Sequence, residues 1–345
     1  MDNKYLMVMA GGGGLRFWPL SRADFPKQFL KPGTSNAMIN ETIGRVLSLF
    51  SVDRIFIVTG ENQKSIMNDI LSFEIPGENI LYEPMQKNTA PCILYAALHI
   101  QKTHGDGIMC VAASDHHISN PAEFLRVLDV AISEAESGKI VTIGIKPTYP
   151  ATGYGYVRLG DRKASQIYML DKFVEKPDLY NASRYMDAGE YYWNSGMFVW
   201  KVSTIIDLYK KYLPGMYDIF MSEKSINDIY SKLEGISVDY GIMEHVRDAL
   251  VVTGDFGWSD IGSWEALECI VAPDALGNVV KGNFVGMEAT GNIVYSDHKL
   301  VTALGVDDLI IVEAGDALLV CAKNRAQDVK ALVDILREKG LSQYL

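Results

Sequence analysis

Tyr5-Leu6-Met7-Val8-Met9-Ala10-Gly11-Gly12-Gly13-Gly14-Leu15-Arg16-Phe17-Trp18-Pro19-Leu20-Ser21 is the stretch from which the rest of the chain can be read. An unbroken apolar run from Tyr5 to Ala10 suits a strand buried on both faces, the kind found in parallel sheets covered by helices. The glycines that follow let the backbone approach a ligand closely and turn its N–H groups toward phosphate oxygens. Arg16, and Lys27 in Pro26-Lys27-Gln28-Phe29-Leu30, can add positive charge where a phosphoryl group is transferred. This is not a Walker A loop, because no Gly-Lys-Ser/Thr follows, and it lacks the Gly-x-Gly-x-x-Gly spacing with a helix directly behind. A glycine loop alone could equally be a flexible turn. Trp18-Pro19-Leu20-Ser21 and Pro26-Lys27-Gln28 shift the reading toward a phosphate site.

Outward from this stretch, short β-rich runs alternate with longer amphipathic ones. Tyr5–Ala10, Arg54–Thr59, Ile80–Tyr82, Ile108–Ala112 and Ile140–Ile145 read as strands. Helices are predicted over Met38–Phe50, Pro91–Lys102 and Pro121–Gly138, the last capped by Asn120 with Pro121 at its first position. This alternation predicts a doubly wound α/β fold with a mostly parallel sheet. Farther on, Tyr154–Leu159, Met169–Glu175 and Tyr191–Trp200 suggest more strands. After Pro273 the texture changes to short runs (Phe284–Met287, Asn292–Tyr295, Leu300–Leu304, Leu309–Val312, Ala317–Cys321), with Gly and Asp turns about every 8–10 residues. A final amphipathic helix is predicted over Ala326–Lys339. The expected organisation is a domain over residues 1–272 and a small β-rich C-terminal domain over 273–345.

The chain has 345 residues and a formal net charge of −11, so its surface as a whole repels nucleic acid and anionic lipid. Between Gly11 and Thr34, however, Arg16, Arg22, Lys27 and Lys31 face a single acid, Asp24, which makes a local basic island. Cys92, Cys110, Cys269 and Cys321 are widely spaced and form no CxxC pair, which argues for free thiols in a reducing compartment. No apolar run approaches the roughly 20 residues of a membrane span. The apolar start runs directly into the glycine loop, unlike a signal peptide. A cytoplasmic enzyme is expected, without a nucleic-acid or membrane partner.

With the glycine loop, Arg16, Trp-Pro-Leu-Ser and Pro-Lys-Gln-Phe-Leu in view, the chain resembles the mannose-1-phosphate guanylyltransferases of the sugar-nucleotide pyrophosphorylase family. The resemblance continues through Glu83-Pro84-Met85-Gln86-Lys87-Asn88-Thr89-Ala90-Pro91, Ser114-Asp115-His116, Gly153-Tyr154-Gly155-Tyr156 and Phe173-Val174-Glu175-Lys176-Pro177. It extends to Trp193-Asn194-Ser195-Gly196-Met197-Phe198, Asp239-Tyr240 and Trp258-Ser259-Asp260-Ile261-Gly262-Ser263-Trp264. The resemblance implies GTP and mannose 1-phosphate as substrates, Mg²⁺ as cofactor, and GDP-mannose and pyrophosphate as products. It also implies a C-terminal domain that packs on the main domain or on a partner subunit, as in a homodimer. Many relatives continue into a phosphomannose isomerase domain of the cupin type. Gly282–Ala322 has no cluster of metal-binding His and Glu, so isomerase activity is not expected.

Residue by residue, the resemblance implies phosphate-binding amides at Gly11, Gly12, Gly13 and Gly14, and catalytic roles for Arg16, Lys27, Asp115 and Asp260. Asp115 follows a predicted strand at the carboxyl edge of the sheet, where open α/β folds bind ligands. With Asp260 it could hold Mg²⁺, a hard cation that takes oxygen ligands; alone, each would pass for a turn residue. His116 and His117 are poor magnesium ligands and read as turn residues or hydrogen-bond donors. Guanine recognition falls near Glu83, Asn88 and Thr89. Glu175 can accept from two sugar hydroxyls, Lys176 can grip the sugar phosphate, and Gly155 and Asn194 can approach the ring. Asp239 is read either as a sugar contact or as a helix cap.

Three positions depart from the family pattern: Leu15 where threonine is usual, Lys87 where arginine is usual, and Ala113 where proline is common. Leucine removes a hydroxyl at position 15. Its side chain faces either the phosphates or the core under the loop, and the sequence leaves both open. Two other readings of the chain also stay open: a sister enzyme using another sugar phosphate or nucleotide, and a catalytically silent regulatory homologue.

Overall fold

The structure, a computed structural model, describes residues 3–33 and 35–345. The first half runs β1 (Lys4–Ala10), α1 (Met38–Val46), β2 (Ile55–Gly60), α2 (Lys64–Ile70), β3 (Ile80–Glu83), α3 (Thr89–His104), β4 (Ile108–Ala113), β5 (His117–Ile118), α4 (Pro121–Ala135) and β6 (Ile140–Ile145). Then follow β7 (Tyr156–Ala164), β8 (Ile167–Val174), α5 (Leu179–Ala188), β9 (Tyr191–Lys201), α6 (Val202–Tyr212), α7 (Pro214–Ser222), α8 (Ile226–Lys232), α9 (Val238–Gly241), β10 (Ala249–Gly254) and β11 (Trp258–Ser259). The C-terminal part holds β12 (Val279–Thr290), β13 (Ile293–Asp307), β14 (Leu309–Ala314), β15 (Ala317–Ala322) and α10 (Val329–Glu338).

The large sheet has the order β3-β2-β1-β4-β9-β6-β10-β8-β7. Its first four strands pair in parallel, and β6 pairs in parallel with β10. Strands β8 and β9 run against the others, so the sheet is doubly wound and mostly parallel in strand direction, with β9 inserted between β4 and β6. Side chains alternate between two cores along β1. Leu6 and Val8 join one core, with α1 and α4, and Tyr5 and Met7 join the other, with α3 and α6. Both faces are covered, which is why these strands read as continuous apolar runs.

Helix ends follow local chemistry. The Asn120 side chain accepts from the Glu123 N–H at 3.2 Å and caps α4, with Pro121 in the first turn. That helix stops at Ala135, short of the expected Gly138, whose φ of 86° belongs to a left-handed turn. Helix α1 likewise ends at Val46, because the N–H groups of Leu49 and Phe50 both turn back onto its carbonyl. Helix α3 begins at Thr89, two residues earlier than expected, where Asn88 Oδ1 accepts from its N–H.

The C-terminal part departs most from expectation. In place of five short strands there are two long ones, β12 and β13, followed by β14 and β15. Strands β12, β13 and β14 stack in parallel, with Val279 on Ile293 on Ile310. The apparent turns at Gly282 and around Asp297 interrupt the register without ending the ladder, so separate runs join into bent strands wound as a coil. Buried Asn278 and Asn292 form a rung between successive layers: Asn292 donates to Asn278 Oδ1 at 3.1 Å and accepts from the Leu309 N–H at 2.9 Å. The coil packs on the main domain. Val279, Ile293, Ile310, Val312 and Val333 share a core with Phe17, Trp18 and Trp264. Among the described residues, no helix is long and apolar enough to cross a membrane.

Glu313 in β14 is buried, and its Oε2 accepts from Ser296 Oγ and from the N–H groups of Asp297, His298 and Lys299, at 3.1–3.2 Å. Burial works against its ionisation, but these donors outweigh it and hold the carboxyl at about 2. A carboxyl depressed on folding stabilises the fold above its ordinary pKa and loses that contribution as pH falls toward 2. Glu313→Gln is therefore expected to unfold at lower urea at pH 7 and to lose less further stability than the parent between pH 5 and about pH 3. Equal acid sensitivity in urea titrations of the two proteins would show that the loop does not depend on this charge.

Candidate active site

The glycine loop leaves the carboxyl end of β1 and is held from behind. Ala10 O accepts from Gln28 Nε2 at 2.6 Å and from Thr59 Oγ1 at 3.0 Å, and Gly11 O accepts from Gln86 Nε2 at 2.6 Å. Gly14 has φ 59°, and a Cβ there would stand 2.2 Å from the Cβ of Lys27, so both conformation and space require glycine. Gly12 is exposed with nothing near its missing side chain, which leaves its amide open to a ligand. Arg16 sits on the one-turn helix Leu15–Phe17, exposed and free of polar partners among the described residues.

Lys27 is buried, and its ammonium donates to Asp115 Oδ2 at 2.8 Å and to the backbone carbonyl of Asp260 at 2.5 Å. The two aspartates, far apart in sequence, meet through a short ladder: β5 and β11 pair antiparallel, with Ile118 opposite Trp258 and His117 opposite Ser259. The ladder continues as Ser119 and Asn120 donate to the carbonyls of Gly257 and Phe256. Gly257, at φ 61°, has no room for a side chain against Ser119. Burial is the largest influence and disfavours the Asp115 carboxylate, but the Lys27 and His116 charges and the hydrogen bonds from Lys27 and its own backbone together outweigh it and hold its pKa below the usual range. Asp260 Oδ1 accepts from the Tyr154 hydroxyl at 2.8 Å.

Gly13, Gly14, Leu15, Arg16, Lys27, Asp115 and Asp260 line one cleft of about 640 Å³. His116 lines it too, and burial lowers its pKa. Its Nδ1 accepts from Trp258 Nε1 at 3.2 Å, so at that nitrogen it is an acceptor, where a donor was expected. Leu15 lines the cleft and also packs, half-buried, against the core containing Phe17 and Trp18. Glu83 stands behind the loop, its Oε2 about 3.2 Å from where a Gly11 Cβ would lie and its Oε1 accepting from Tyr230 at 2.8 Å. Burial pushes its carboxyl up to about 7 against that hydrogen bond. Asn88 and Thr89 are engaged in the backbone: Asn88 caps α3, and Thr89 Oγ1 accepts from the Val238 N–H at 2.9 Å. Neither is among the residues lining the cleft.

The other five expected residues form a second cluster. A Cβ on Gly155 would lie 2.6 Å from Glu175 Oε2, so the missing side chain is what admits this carboxylate. Lys176, at φ 37°, turns its ammonium onto Glu175 Oε1 at 2.7 Å. Asn194 donates to Asp239 Oδ1 at 3.0 Å, and its N–H donates to the Gly155 carbonyl. Burial, reinforced by the Glu175 charge, raises Asp239 to about 6. Ser237, not Asp239, caps α9. Tyr154, adjacent to Gly155, joins this cluster to Asp260. Sequence reading gave Tyr154 no role, although it stands inside a block that was singled out. It also missed Lys330 and Arg337 of α10, which line the cleft from the C-terminal domain.

The donor set fits a hard divalent cation. Asp115 and Asp260 present carboxylate oxygens to one cleft, where phosphate and water could complete the shell. Among the described residues no group of three or more His, Cys, Asp or Glu is arranged to hold a metal ion by itself.

Residues 5–274 match the nucleotidyl transferase family, and residues 282–336 match the MannoseP isomerase/GMP-like beta-helix domain. The chain is 38% identical over 359 residues to a mannose-1-phosphate guanylyltransferase from Escherichia coli, covering 99% of this chain and 75% of that protein. It is 37% identical over 351 residues to a putative mannose-1-phosphate guanylyltransferase from Vibrio cholerae, covering 98% and 75%. A solved Thermus thermophilus structure, described as a mannose-1-phosphate geranyltransferase, superposes with a TM-score of 0.89 at 33% identity, covering 97% of this chain and 99% of that one.

Because Leu15 is shared between cleft and core, replacing it exposes which side matters for stability. Leu15→Thr gives up apolar burial of about 1 kcal/mol, and in a chain this size the melting temperature is expected to fall by about 2 °C. An unchanged melting temperature would mean that the leucine contributes nothing to the core beneath the loop.

Proposed function

Since the chain belongs to the nucleotidyl transferase family and, within it, to the mannose-1-phosphate guanylyltransferases, we propose that it transfers GMP from GTP to α-D-mannose 1-phosphate, giving GDP-mannose and pyrophosphate. The observation that carries this reading is the pair of neighbouring clusters, one phosphate-binding in character and one hydroxyl-binding, joined by Tyr154-Gly155. Catalysis is assigned to residues 1–272, with 273–345 as the C-terminal domain.

In this reading the amides of Gly11–Gly14 and the free guanidinium of Arg16 hold the triphosphate. Lys27 stands near the α-phosphate, its ammonium already positioned by Asp115 and the Asp260 carbonyl. Glu83, with Asn88 and Thr89 nearby, marks the guanine end. Glu175, Asn194, Asp239 and the open face of Gly155 read the hexose, and Lys176 holds the sugar phosphate. A sugar-phosphate oxygen attacks the α-phosphorus in line and pyrophosphate departs. No covalent enzyme intermediate is required, so the residues act by positioning and by neutralising charge. Asp115 and Asp260 would hold Mg²⁺, which supplies charge stabilisation at the phosphate oxygens.

A product assay across nucleoside triphosphates and sugar 1-phosphates, with and without Mg²⁺, tests the reading. GDP-mannose formation only with GTP, mannose 1-phosphate and Mg²⁺ is expected. A different preferred pair would identify a sister enzyme, and no turnover with any pair a silent homologue. Within the active protein, Asp115→Asn and Asp260→Asn should each lower kcat by on the order of 100-fold or more. The double variant should lose little beyond either single one, because one ion is lost in each case. Two mild, additive losses would sink the shared metal site.

Lys176→Ala separates the two ends of the site. Its KM for mannose 1-phosphate should rise about tenfold with the KM for GTP changed less than twofold, since one charged contact to a phosphate is removed. Equal weakening of both substrates would place the lysine elsewhere.

A further inference from the structure

The cleft under the glycine loop is closed on one side by the C-terminal domain. Helix α10 turns Val329, Val333 and Leu336 into the core that holds Phe17 and Trp18. Lys330 and Arg337 stand seven residues apart on one edge of that stripe, two helical turns along the same face. Both line the cleft together with Gly13, Gly14 and Arg16. The docking is secured on either side of the helix: Trp18 Nε1 donates to the Tyr344 carbonyl at 2.6 Å, and Gln327 Nε2 donates to Ser263 Oγ at 3.2 Å.

Charge in the cleft makes these two cations consequential. From the main domain, Arg16 and Lys27 are offset by Asp115 and Asp260, and Lys27 is already paired with Asp115. The side chains of that set carry no net positive charge to offer a triphosphate, on a chain whose formal net charge is −11. Lys330 and Arg337 supply the surplus. Lys330 is exposed and has no polar partner among the described residues. Arg337 pairs with Asp334 through Nη1 at 2.7 Å, which orients the guanidinium and leaves Nε and Nη2 to donate elsewhere. Helix α10 packs against Leu15–Phe17, at the far end of the loop from Gly11 and Glu83. Its cations therefore stand at the Arg16 end of the loop, away from Glu83.

We propose that Lys330 and Arg337 of the C-terminal domain bind the β- and γ-phosphates of the nucleotide and the pyrophosphate they become. The C-terminal domain is then part of the active site. This rests on the nucleotidyl-transfer reading above.

The test uses the full chain carrying Lys330→Gln and Arg337→Gln together. KM for GTP is expected to rise about tenfold, as for the loss of two partly screened phosphate contacts, and inhibition by inorganic pyrophosphate should weaken in parallel. KM for mannose 1-phosphate and inhibition by GMP, which lacks the outer phosphates, should change less than twofold. The charge-preserving pair Lys330→Arg and Arg337→Lys should restore most of the GTP affinity, which a purely structural role for the helix surface would not require. Unchanged pyrophosphate inhibition, equal weakening of GMP and pyrophosphate, or no restoration by the conservative pair each overturns the proposal. Calorimetric titration of parent and variant with inorganic pyrophosphate keeps the two readings apart. Absence of turnover in the parent refutes nucleotidyl transfer, whereas equal pyrophosphate affinity in both proteins refutes the role of the two cations.

Discussion

The ammonium of Lys27 is the constraint around which the site is organised. A cation withdrawn from water costs several kcal/mol unless it is paired and hydrogen-bonded. Here one carboxylate oxygen and one backbone carbonyl meet it, from segments that lie far from Lys27 in the sequence. Satisfying that single charge ties the loop after β1, the end of β4 and the turn after β11 to one point. The same residue fixes the loop from the other side, because its Cβ occupies the place where any side chain at position 14 would go.

Around that point the ionisable groups divide by environment. Asp115, beside a cation, is held in its charged form. Glu83 and Asp239, withdrawn from water without a cation in contact, are raised to about 7 and about 6. A carboxyl that keeps a proton near neutral pH can donate as well as accept. Asp115 therefore keeps its negative charge, while the two raised carboxyls are adaptable hydrogen-bonding groups.

Much of this was legible in the sequence because burial on both faces forces an apolar run, and β1, β2, β4 and β6 begin and end within about one residue of where such runs do. The residues of both clusters were legible for a different reason: they sit in blocks whose chemistry is unusual enough to be read locally. What escaped was everything decided by contacts between distant segments. The ladder that joins Asp115 to Asp260 is two residues long on each strand, too short to carry a periodicity. Tyr154 looks like any aromatic near a turn until Asp260 is placed opposite its hydroxyl. Asn88 and Thr89 are read for a ligand, and the structure adds that Asn88 Oδ1 caps α3 and Thr89 Oγ1 accepts from the Val238 N–H. In the C-terminal part, Gly282 and Asp297 look like turns that end strands. The parallel coil carries its hydrogen bonds past both, a property of stacked layers that no single run displays.

The seating of the C-terminal coil on the glycine loop has a consequence for how the protein is made. Phe17 and Trp18 are made long before most of their core partners, which apart from Leu30 and Met38 lie between Ile261 and Val333, and the Trp18 indole waits for a carbonyl 326 residues later. At about 5–20 residues per second that interval lasts roughly 15–65 s. During it the large sheet can form, while the loop beside it lacks the surface that holds its aromatic residues in place. The loop therefore gains its full packing only once α10 has been made and docks. A chain cut short before that helix leaves the ribosome with a glycine loop that has no floor.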